Sequence, residues 1–365
     1  ESLEQVRASA EYGVELTGEV RYHLDKIRER KDKVVTTQIK GIHSLFKSQG
    51  IALIPAHGSF LSENVVRAVQ KDGTTQDIRS DRIIIATGSR PFHVAGVPYD
   101  GETVMTSDDA VHLRSVPKRL LIIGAGVIGC EFAFIYRALG STVTLVELMP
   151  RALSGEDEDM SVIIERELKK AKIALITSAS LERINTTAEG VISASISNGR
   201  EVAADAVLVS IGRSLNSEHL RLEDAGLAAG KRGEISVNDM METDSPGIYA
   251  VGDVTGKMML AHVASRQGIV AAENALGGEV HMDYASIPAG IFTRPEIGSV
   301  GLREHQAREQ NIAINIGTFP FRALGKAHAT GEITGIFKVI ADAATDRILG
   351  VHICGARASD LVHEG

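Results

Sequence analysis

Cysteine is scarce in this chain. Two occur in 365 residues, Cys130 and Cys354, which leaves no disulfide framework and fits a reducing compartment such as the cytoplasm. The bland reading of each is a small buried hydrophobe. No apolar run approaches the roughly 20 residues that span a bilayer. The opening residues, Glu1-Ser2-Leu3-Glu4, are acidic and amphipathic, unlike a signal peptide. They do not begin with Met, so the natural start is expected upstream. There is no block of like charge, no repeat and no low-complexity stretch. No group of His, Cys, Asp and Glu has metal-ligand spacing, and no G-x-S-x-G nucleophile motif occurs. A net charge of −8 and a pI near 5.9 argue against nucleic acid or an anionic membrane as partner. What is present is ordinary globular composition, 44% hydrophobic and 24% charged, over a length that suits two to three domains.

The pattern changes along the chain. Val35, Ile39, Ile42 and Phe46 recur on one face of a helix expected over 19–48, with Gly50 as its stop. Short strands are expected at 51–55, 65–69 and 76–78, with a turn at Lys71-Asp72-Gly73, then an apolar strand at 82–85. From residue 118 the order is β-α-β: a buried strand at 120–123, a helix at 127–139 stopped by Gly140, and a strand at 142–146. Ser154-Gly155-Glu156-Asp157 resembles a capping box opening a helix over 157–171. A strand at 173–177 and a polar meander with Gly190 and Asn198-Gly199 follow. Residues 206–211 are apolar but for Ser210, as in parallel strands buried on both faces. Another apolar strand at 248–251 precedes a helix at 262–276. From 286 the alternation is that of an antiparallel sheet, with strands near 335–340 and 347–353. Ser359 reads as an N-cap, but only six residues follow it, too few for a stable helix alone. That points to a chain that has lost its end.

The sharpest motif is Gly124-Ala125-Gly126-Val127-Ile128-Gly129. A bare G-x-G-x-x-G is weak. Here a buried strand precedes it, a helix follows, and Glu147 ends the next strand 21 residues beyond Gly126. Gly124 allows the tight turn, Gly126 the approach of a pyrophosphate, and Gly129 close helix–strand packing. The helix start offers unpaired N–H groups to phosphates. Glu147 can accept from both ribose hydroxyls of NAD and would repel the 2′-phosphate of NADP. The nearest basic residue downstream is Arg151. The competing reading of the motif is a glycine-rich structural turn.

Other positions stay open on their own. Asp253, after Gly252 at a strand end, suits ligand hydroxyls or an ordinary turn equally. Ala86-Thr87-Gly88 is a common strand-to-loop sequence. Glu131, in the first turn of the glycine-motif helix, could simply answer the helix dipole. His262 is a lone histidine at a helix start.

Together these segments resemble the pyridine nucleotide–disulfide oxidoreductase family, and within it the branch that oxidises dihydrolipoamide. The matching stretches are Ile85-Ala86-Thr87-Gly88-Ser89-Arg90-Pro91, residues 121–131 with Gly140 and Glu147, Ile211-Gly212-Arg213 with Asn216, Tyr249-Ala250-Val251-Gly252-Asp253, Met259-Leu260-Ala261-His262, Thr293-Arg294-Pro295-Glu296-Ile297 with Val300-Gly301, and Ile348-Leu349-Gly350-Val351-His352. They cover essentially the whole chain in order. The resemblance implies an α/β protein with two Rossmann-like nucleotide-binding domains plus an α+β interface domain. Residues 1–110 would be a partial FAD-binding domain of helix, β-meander and return strand. Residues 111–235 would be a complete NAD-binding domain, 236–285 the return segment of the FAD domain, and 286–365 a truncated interface (dimerisation) domain. NAD would be held by Gly124, Gly126, Val127, Ile128, Gly129, Glu131, Glu147, Leu181 and Gly212. Glu131 would reach the nicotinamide–flavin junction as a supporting catalytic residue, and Leu181 would touch the adenine. FAD would be held by Gly58, Thr87, Gly88, Ser89, Asp253, Met259, Leu260, Ala261 and His262.

The family pattern departs at both ends. Its own first G-x-G-x-x-G for FAD, its C-x-x-x-x-C redox disulfide and its terminal His-Pro-Thr base are not in this sequence. Residues 1–50 resemble the helix that follows the disulfide, so the chain as given would not carry out thiol–disulfide exchange. The complete homodimer would oxidise a lipoyl-bearing protein of a 2-oxo acid dehydrogenase complex, passing electrons through the disulfide and FAD to NAD⁺. Mercuric reductase, glutathione reductase and soluble transhydrogenase are rival branches; Glu147 counts against the NADP users. Phe319-Pro320-Phe321-Arg322-Ala323 with Gly325-Lys326-Ala327 favours the dihydrolipoamide branch. A reading of another class is a non-catalytic NAD-binding module, which a colourless protein would indicate.

Overall fold

The computed structural model describes residues 2–112, 114–186 and 191–365. The chain forms two compact units. One comprises Glu1–Gln38, His93–Ile211 and Pro288–Gly365; the other comprises Ile39–Phe92 and Gly212–Ile287.

The first unit is built on a five-stranded parallel sheet, in the order Val104–Thr106, Ala206–Val209, Arg119–Ile123, Thr142–Val146, Ala174–Ile176. Every pair in it is parallel, with Ala206 beside Leu120 and Leu120 beside Val143. Alternation explains the uninterrupted apolar runs. Leu120 and Ile122 point to one face, packed by Phe132, Ala133 and Tyr136 of helix Val127–Ala138 and Met160, Ile164 and Leu168 of helix Glu158–Lys170. Leu121 and Ile123 point to the other, against Ile192, Ala194 and Ile196 of a three-stranded antiparallel meander, Leu181–Thr186, Ile192–Ile196 and Glu201–Ala204. Both faces are covered at the centre of the sheet, so residues 120–123 and strand Ala206–Val209 are apolar at successive residues, while Thr142–Val146 places threonines at its exposed and half-buried positions. Gly190, expected in the meander, lies outside the described residues.

The same unit holds a five-stranded antiparallel sheet in the order Ala289–Ile291, Glu296–Gly301, Ile348–Gly355, Ile336–Asp342, Ile314–Pro320. Ile291, Ile297 and Cys354 of this sheet enter the core that covers the helical face of the parallel sheet. Cys130 and Cys354 are both free and buried, the bland reading of each. Burial pushes the Cys130 thiol up to about 12, with Glu147, Glu131 and Glu165 adding to it, and burial raises Cys354 as well.

The second unit contains an antiparallel meander, Ala56–Ser62, Val65–Gln70 and Thr75–Arg79. It also contains a short parallel pair, Ile83–Ile85 with Ile248–Ala250, and helix Ala261–Ala275. Phe60, Ile85, Ile248 and Ala250 share one core. Helix Leu24–Ser48 buries none of its residues.

Several local expectations need correction. Residues 51–55 form no strand; the ladder begins at Ala56, because Pro55 has no N–H to give it. The long helix begins at Leu24, not 19. Ser154 does not open the helix after Glu147: Asp157 is its N-cap, accepting from Asp159 N at 3.2 Å. Ser359 is not an N-cap either. Arg357 holds that position, and the Ser359 hydroxyl donates to Glu296 at 2.6 Å. Among the described residues no helix is long and apolar enough to cross a membrane.

Candidate functional site

In the first unit, the glycine motif joins strand Arg119–Ile123 to helix Val127–Ala138. Gly124 sits at φ +98°, and a Cβ there would lie 2.5 Å from the Ser210 carbonyl oxygen, so only glycine makes this turn. A Cβ on Gly129 would lie 1.9 Å from the Gly124 carbonyl, which is the close helix–strand approach. Gly126 differs from both. A Cβ there would meet nothing within 4 Å. Gly126 is the N-cap of the helix with no side chain capping it, and Gly126 and Val127 are exposed while Ile128 turns into the core. The structure thus leaves free helical N–H groups beside an open cradle that suits a pyrophosphate.

Glu147 stands at the end of the neighbouring strand. Its Oε2 accepts from Ala125 N at 2.6 Å and its Oε1 from Met149 N at 2.8 Å. The carboxylate is therefore fixed against the glycine loop, with lone pairs left for further donors. Arg151 is committed elsewhere. Its guanidinium donates to the carbonyls of Ser154 and Glu156, both at 3.0 Å, to Leu153 O at 3.5 Å and to the Ser161 hydroxyl at 2.5 Å. Glu131 accepts from Phe292 N at 2.9 Å. Burial raises its pKa, and that hydrogen bond only partly opposes the rise. Leu181 begins the first meander strand, opposite Ile196, and packs on the meander core.

In the second unit, strand Ser89–Pro91 pairs antiparallel with Arg213–Leu215. That pairing assembles a polar group around Asp253, which lies in a short 3₁₀ turn, Gly252–Thr255. Ser89 Oγ donates to Asp253 Oδ2 at 2.5 Å. Arg213 Nε donates to Ser89 Oγ at 2.6 Å and stands 3.8 Å from the same carboxylate oxygen. Thr87 and Asn216 exchange side-chain-to-carbonyl hydrogen bonds of 2.7 and 3.0 Å, and Asn216 N donates to Gly88 O at 3.0 Å. Gly88 and Gly212 both have positive φ with open space where a Cβ would stand. Met259, Ala261 and His262 are exposed at the start of helix Ala261–Ala275, with Leu260 as its N-cap. Gly58 lies on the exposed part of strand Ala56–Ser62, opposite Ala68.

The structure therefore groups Gly124, Gly126, Val127, Gly129 and Glu147 in one unit, and Thr87, Gly88, Ser89 and Asp253 in the other. Arg213 belongs with the second group and was not singled out as a site residue. Its place directly after Gly212 in a recognisable stretch was the available signal. Arg151 reads from the sequence only as a charge, since its partners, three nearby carbonyls and the Ser161 hydroxyl, are groups that no motif announces.

These parts have counterparts in known proteins. The pyridine nucleotide–disulphide oxidoreductase profile matches residues 5–268, and the dimerisation-domain profile of the same family matches residues 287–365. The dihydrolipoyl dehydrogenase of Chlamydia trachomatis is 37% identical over 366 aligned residues, covering 100% of this chain and 78% of that protein. The mitochondrial dihydrolipoyl dehydrogenase of Homo sapiens is 37% identical, covering 97% of this chain and 71% of that protein. Among solved structures, LpdA from Mycobacterium tuberculosis superposes with a TM-score of 0.92 at 27% identity, covering 99% of this chain and 79% of that one. The HOCl-induced flavoprotein disulfide reductase RclA from Escherichia coli gives 0.84 at 28%, covering 93% and 78%. The chain belongs to the pyridine nucleotide–disulphide oxidoreductase family. It is an oxidoreductase chain, in a family that uses FAD and NAD(H).

Proposed function

We propose that this chain serves a dihydrolipoamide:NAD⁺ oxidoreductase, supplying its nucleotide-holding residues. The observation that carries the reading is the Glu147 carboxylate fixed by Ala125 N beside an open Gly126 cradle. In this reading the N–H groups at Gly126, Val127 and Ile128 donate to the NAD pyrophosphate. Glu147 accepts from the ribose hydroxyls. Arg151 has four of its five N–H donors taken within its own segment and would have to give them up to meet a 2′-phosphate, so NAD is preferred over NADP. Glu131 serves the nicotinamide end, with Gly212 and Leu181 completing the NAD set. Asp253 accepts from a ribityl hydroxyl, Ser89 and Arg213 hold that carboxylate in place, and Gly58, Thr87, Gly88, Met259, Leu260, Ala261 and His262 complete the FAD set. FAD, when bound, supplies the two-electron relay between a dithiol and NAD⁺. Cys130 and Cys354, buried and with raised thiol pKa values, do not supply the exchanging dithiol pair.

The proposed domains are a partial FAD-binding domain over 1–110, an NAD-binding domain over 111–235, a return segment over 236–285 and an interface domain over 286–365. Homodimerisation through the last of these and a lipoyl-bearing protein of a 2-oxo acid dehydrogenase complex as partner belong to the same reading. The burial of both cysteines favours a second reading, NAD binding without turnover. The test is visible absorbance, NAD⁺ and NADP⁺ titrations, and the bleaching of any flavin bands by NADH, all on the purified chain. Flavin bands that NADH bleaches support the enzyme reading. NAD⁺ binding without flavin or turnover supports the second. A chain that prefers NADP⁺, or a Glu147→Gln variant that binds NAD⁺ as tightly as the parent, refutes the assignment of the NAD site.

A further inference from the structure

The segment between Glu147 and helix Glu158–Lys170 is a strap, exposed at Leu148, Met149, Pro150 and Gly155 and buried between them and at its far end. Ala152, Leu153, Glu156 and Asp157 have almost no solvent contact. Its middle is tied to the glycine loop: Leu153 N donates to the Ala125 carbonyl at 2.9 Å. Ala125 is the residue whose N–H holds Glu147. Its far end is tied to the segment matched by the dimerisation domain. Asp157 is fully buried, and its Oδ1 accepts from Lys338 Nζ at 2.8 Å while its Oδ2 accepts from Glu304 N at 3.1 Å. Glu156 Oε1 accepts from Arg303 at 3.2 Å.

Lys338 is the hub of this junction. Its side chain is 1% exposed, in the middle of strand Ile336–Asp342. An ammonium group has three N–H donors, and here three carboxylates take them: Asp157 at 2.8 Å, Asp159 at 2.7 Å and Glu304 at 2.7 Å. The partners come from the strap, from the helix it opens and from the short helix Glu304–Glu309. Burial penalises the ammonium, but these three bonds outweigh it and hold its pKa above the ordinary value. A carboxylate as buried as Asp157 cannot stay ionised without its cation. Losing Lys338 therefore forces the strap to move toward water or Asp157 to take up a proton. Either way the far end of the strap loses the ion pair that ties it to the dimerisation segment, and the placement of Leu153 N is loosened with it.

We propose that Lys338 is a positioning residue for the NAD site, fixing from the dimerisation segment the strap that sets the Ala125–Glu147 loop. This rests on the NAD reading above. The experiment is calorimetric titration of the 365-residue chain with NAD⁺, run on the parent, on Glu147→Gln, on Lys338→Met and on Lys338→Arg. The expected result is a roughly tenfold rise in NAD⁺ Kd for Lys338→Met, in the usual range of coupling between separated sites, with partial recovery in Lys338→Arg. Folded Lys338→Met that binds NAD⁺ like the parent overturns the proposal even if it melts lower, because a merely structural role would move the melting temperature alone. If Lys338→Met does not fold, Arg303→Gln, which removes the Glu156 contact of a side chain that is 25% exposed, is read by the same two outcomes. A parent that fails to bind NAD⁺, or a Glu147→Gln that binds normally, removes the underlying reading instead.

Discussion

The second and third glycines of the motif make opposite predictions when changed to alanine. At Gly129 the new Cβ would start 1.9 Å from the Gly124 carbonyl oxygen and 2.9 Å from Ser210 Oγ. Reaching even a 3 Å contact requires a backbone shift of about 1 Å. Gly124 is itself pinned, its N–H donating to the Val146 carbonyl at 2.8 Å. Overpacking costs about 1–3 kcal/mol, and a clash between main-chain atoms belongs at the upper end. Alanine regains about 1 kcal/mol over glycine inside a helix. The net loss for Gly129→Ala is then about 2 kcal/mol, or a fall of roughly 4–8 °C in melting temperature for a unit of this size. At Gly126 the same methyl meets nothing, and φ −72° with ψ −169° suits any residue. Stability should stay within about 0.5 kcal/mol of the parent. The methyl fills the cradle, however, so NAD⁺ affinity should fall at least roughly a hundredfold, about 2.7 kcal/mol. Thermal melts with and without NAD⁺ read both quantities. A Gly126→Ala protein that is still shifted upward by NAD⁺ as the parent is would refute the cradle, and a Gly129→Ala protein of parental stability would refute the packing argument.

Two further outcomes follow from the charged groups. Glu131 has its carboxyl pKa raised by burial, so the fold favours its protonated form, and the stability it contributes is present at low pH and lost as pH rises through that raised value. Glu131→Gln keeps an acceptor for Phe292 N and removes the buried charge, so it should raise the melting temperature at neutral pH by a degree or more, about 0.5 kcal/mol; a lower value contradicts the assignment. Asp157 is opposite in sign: burial pushes its pKa up, but Lys338 and the Glu304 N–H outweigh burial and hold it below the carboxylate range. Its contribution is present above about pH 4 and lost as pH falls through the depressed value. In urea unfolding across acid pH, Asp157→Asn should therefore flatten the acid limb, and an unchanged slope would show that Asp157 does not carry it.

The parallel sheet was legible because its chemistry is local and repetitive. Strand Arg119–Ile123, helix Val127–Ala138 and strand Thr142–Val146 announce themselves by apolar runs, glycine punctuation and an acidic residue at the expected distance. Strand Val104–Thr106 was not anticipated. Three residues carry too little period to be read, and it is a strand only because Ala206–Val209 lies beside it. The junction at Lys338 was equally silent. Along the alternation of strand Ile336–Asp342 a lysine reads as a solvent-facing residue, and its carboxylates stand 181, 179 and 34 residues away. The spurious caps at Ser154 and Ser359 failed for a related reason. A serine before an apolar face is a local signal, and in both places tertiary partners put the helix start elsewhere.

Arg151 shows why composition near a site is a poor guide to its specificity. Four residues beyond Glu147, it stands where a cation could receive a 2′-phosphate, and its charge alone would argue for NADP as readily as Glu147 argues for NAD. What decides is donor capacity. A guanidinium has five N–H donors, and the fold spends four of them on the carbonyls of Leu153, Ser154 and Glu156 and the hydroxyl of Ser161. Turning toward a phosphate would strip those partners from the strap. Glu147, by contrast, is held by two N–H donors that leave its remaining lone pairs facing outward. The preference for NAD therefore rests on a pair of neighbours whose hydrogen-bond capacities are filled to different degrees. Removing the carboxylate alone, in Glu147→Gln, should weaken NAD⁺ binding without creating NADP⁺ binding. Gain of NADP⁺ affinity in that variant would show that Arg151 is free to turn.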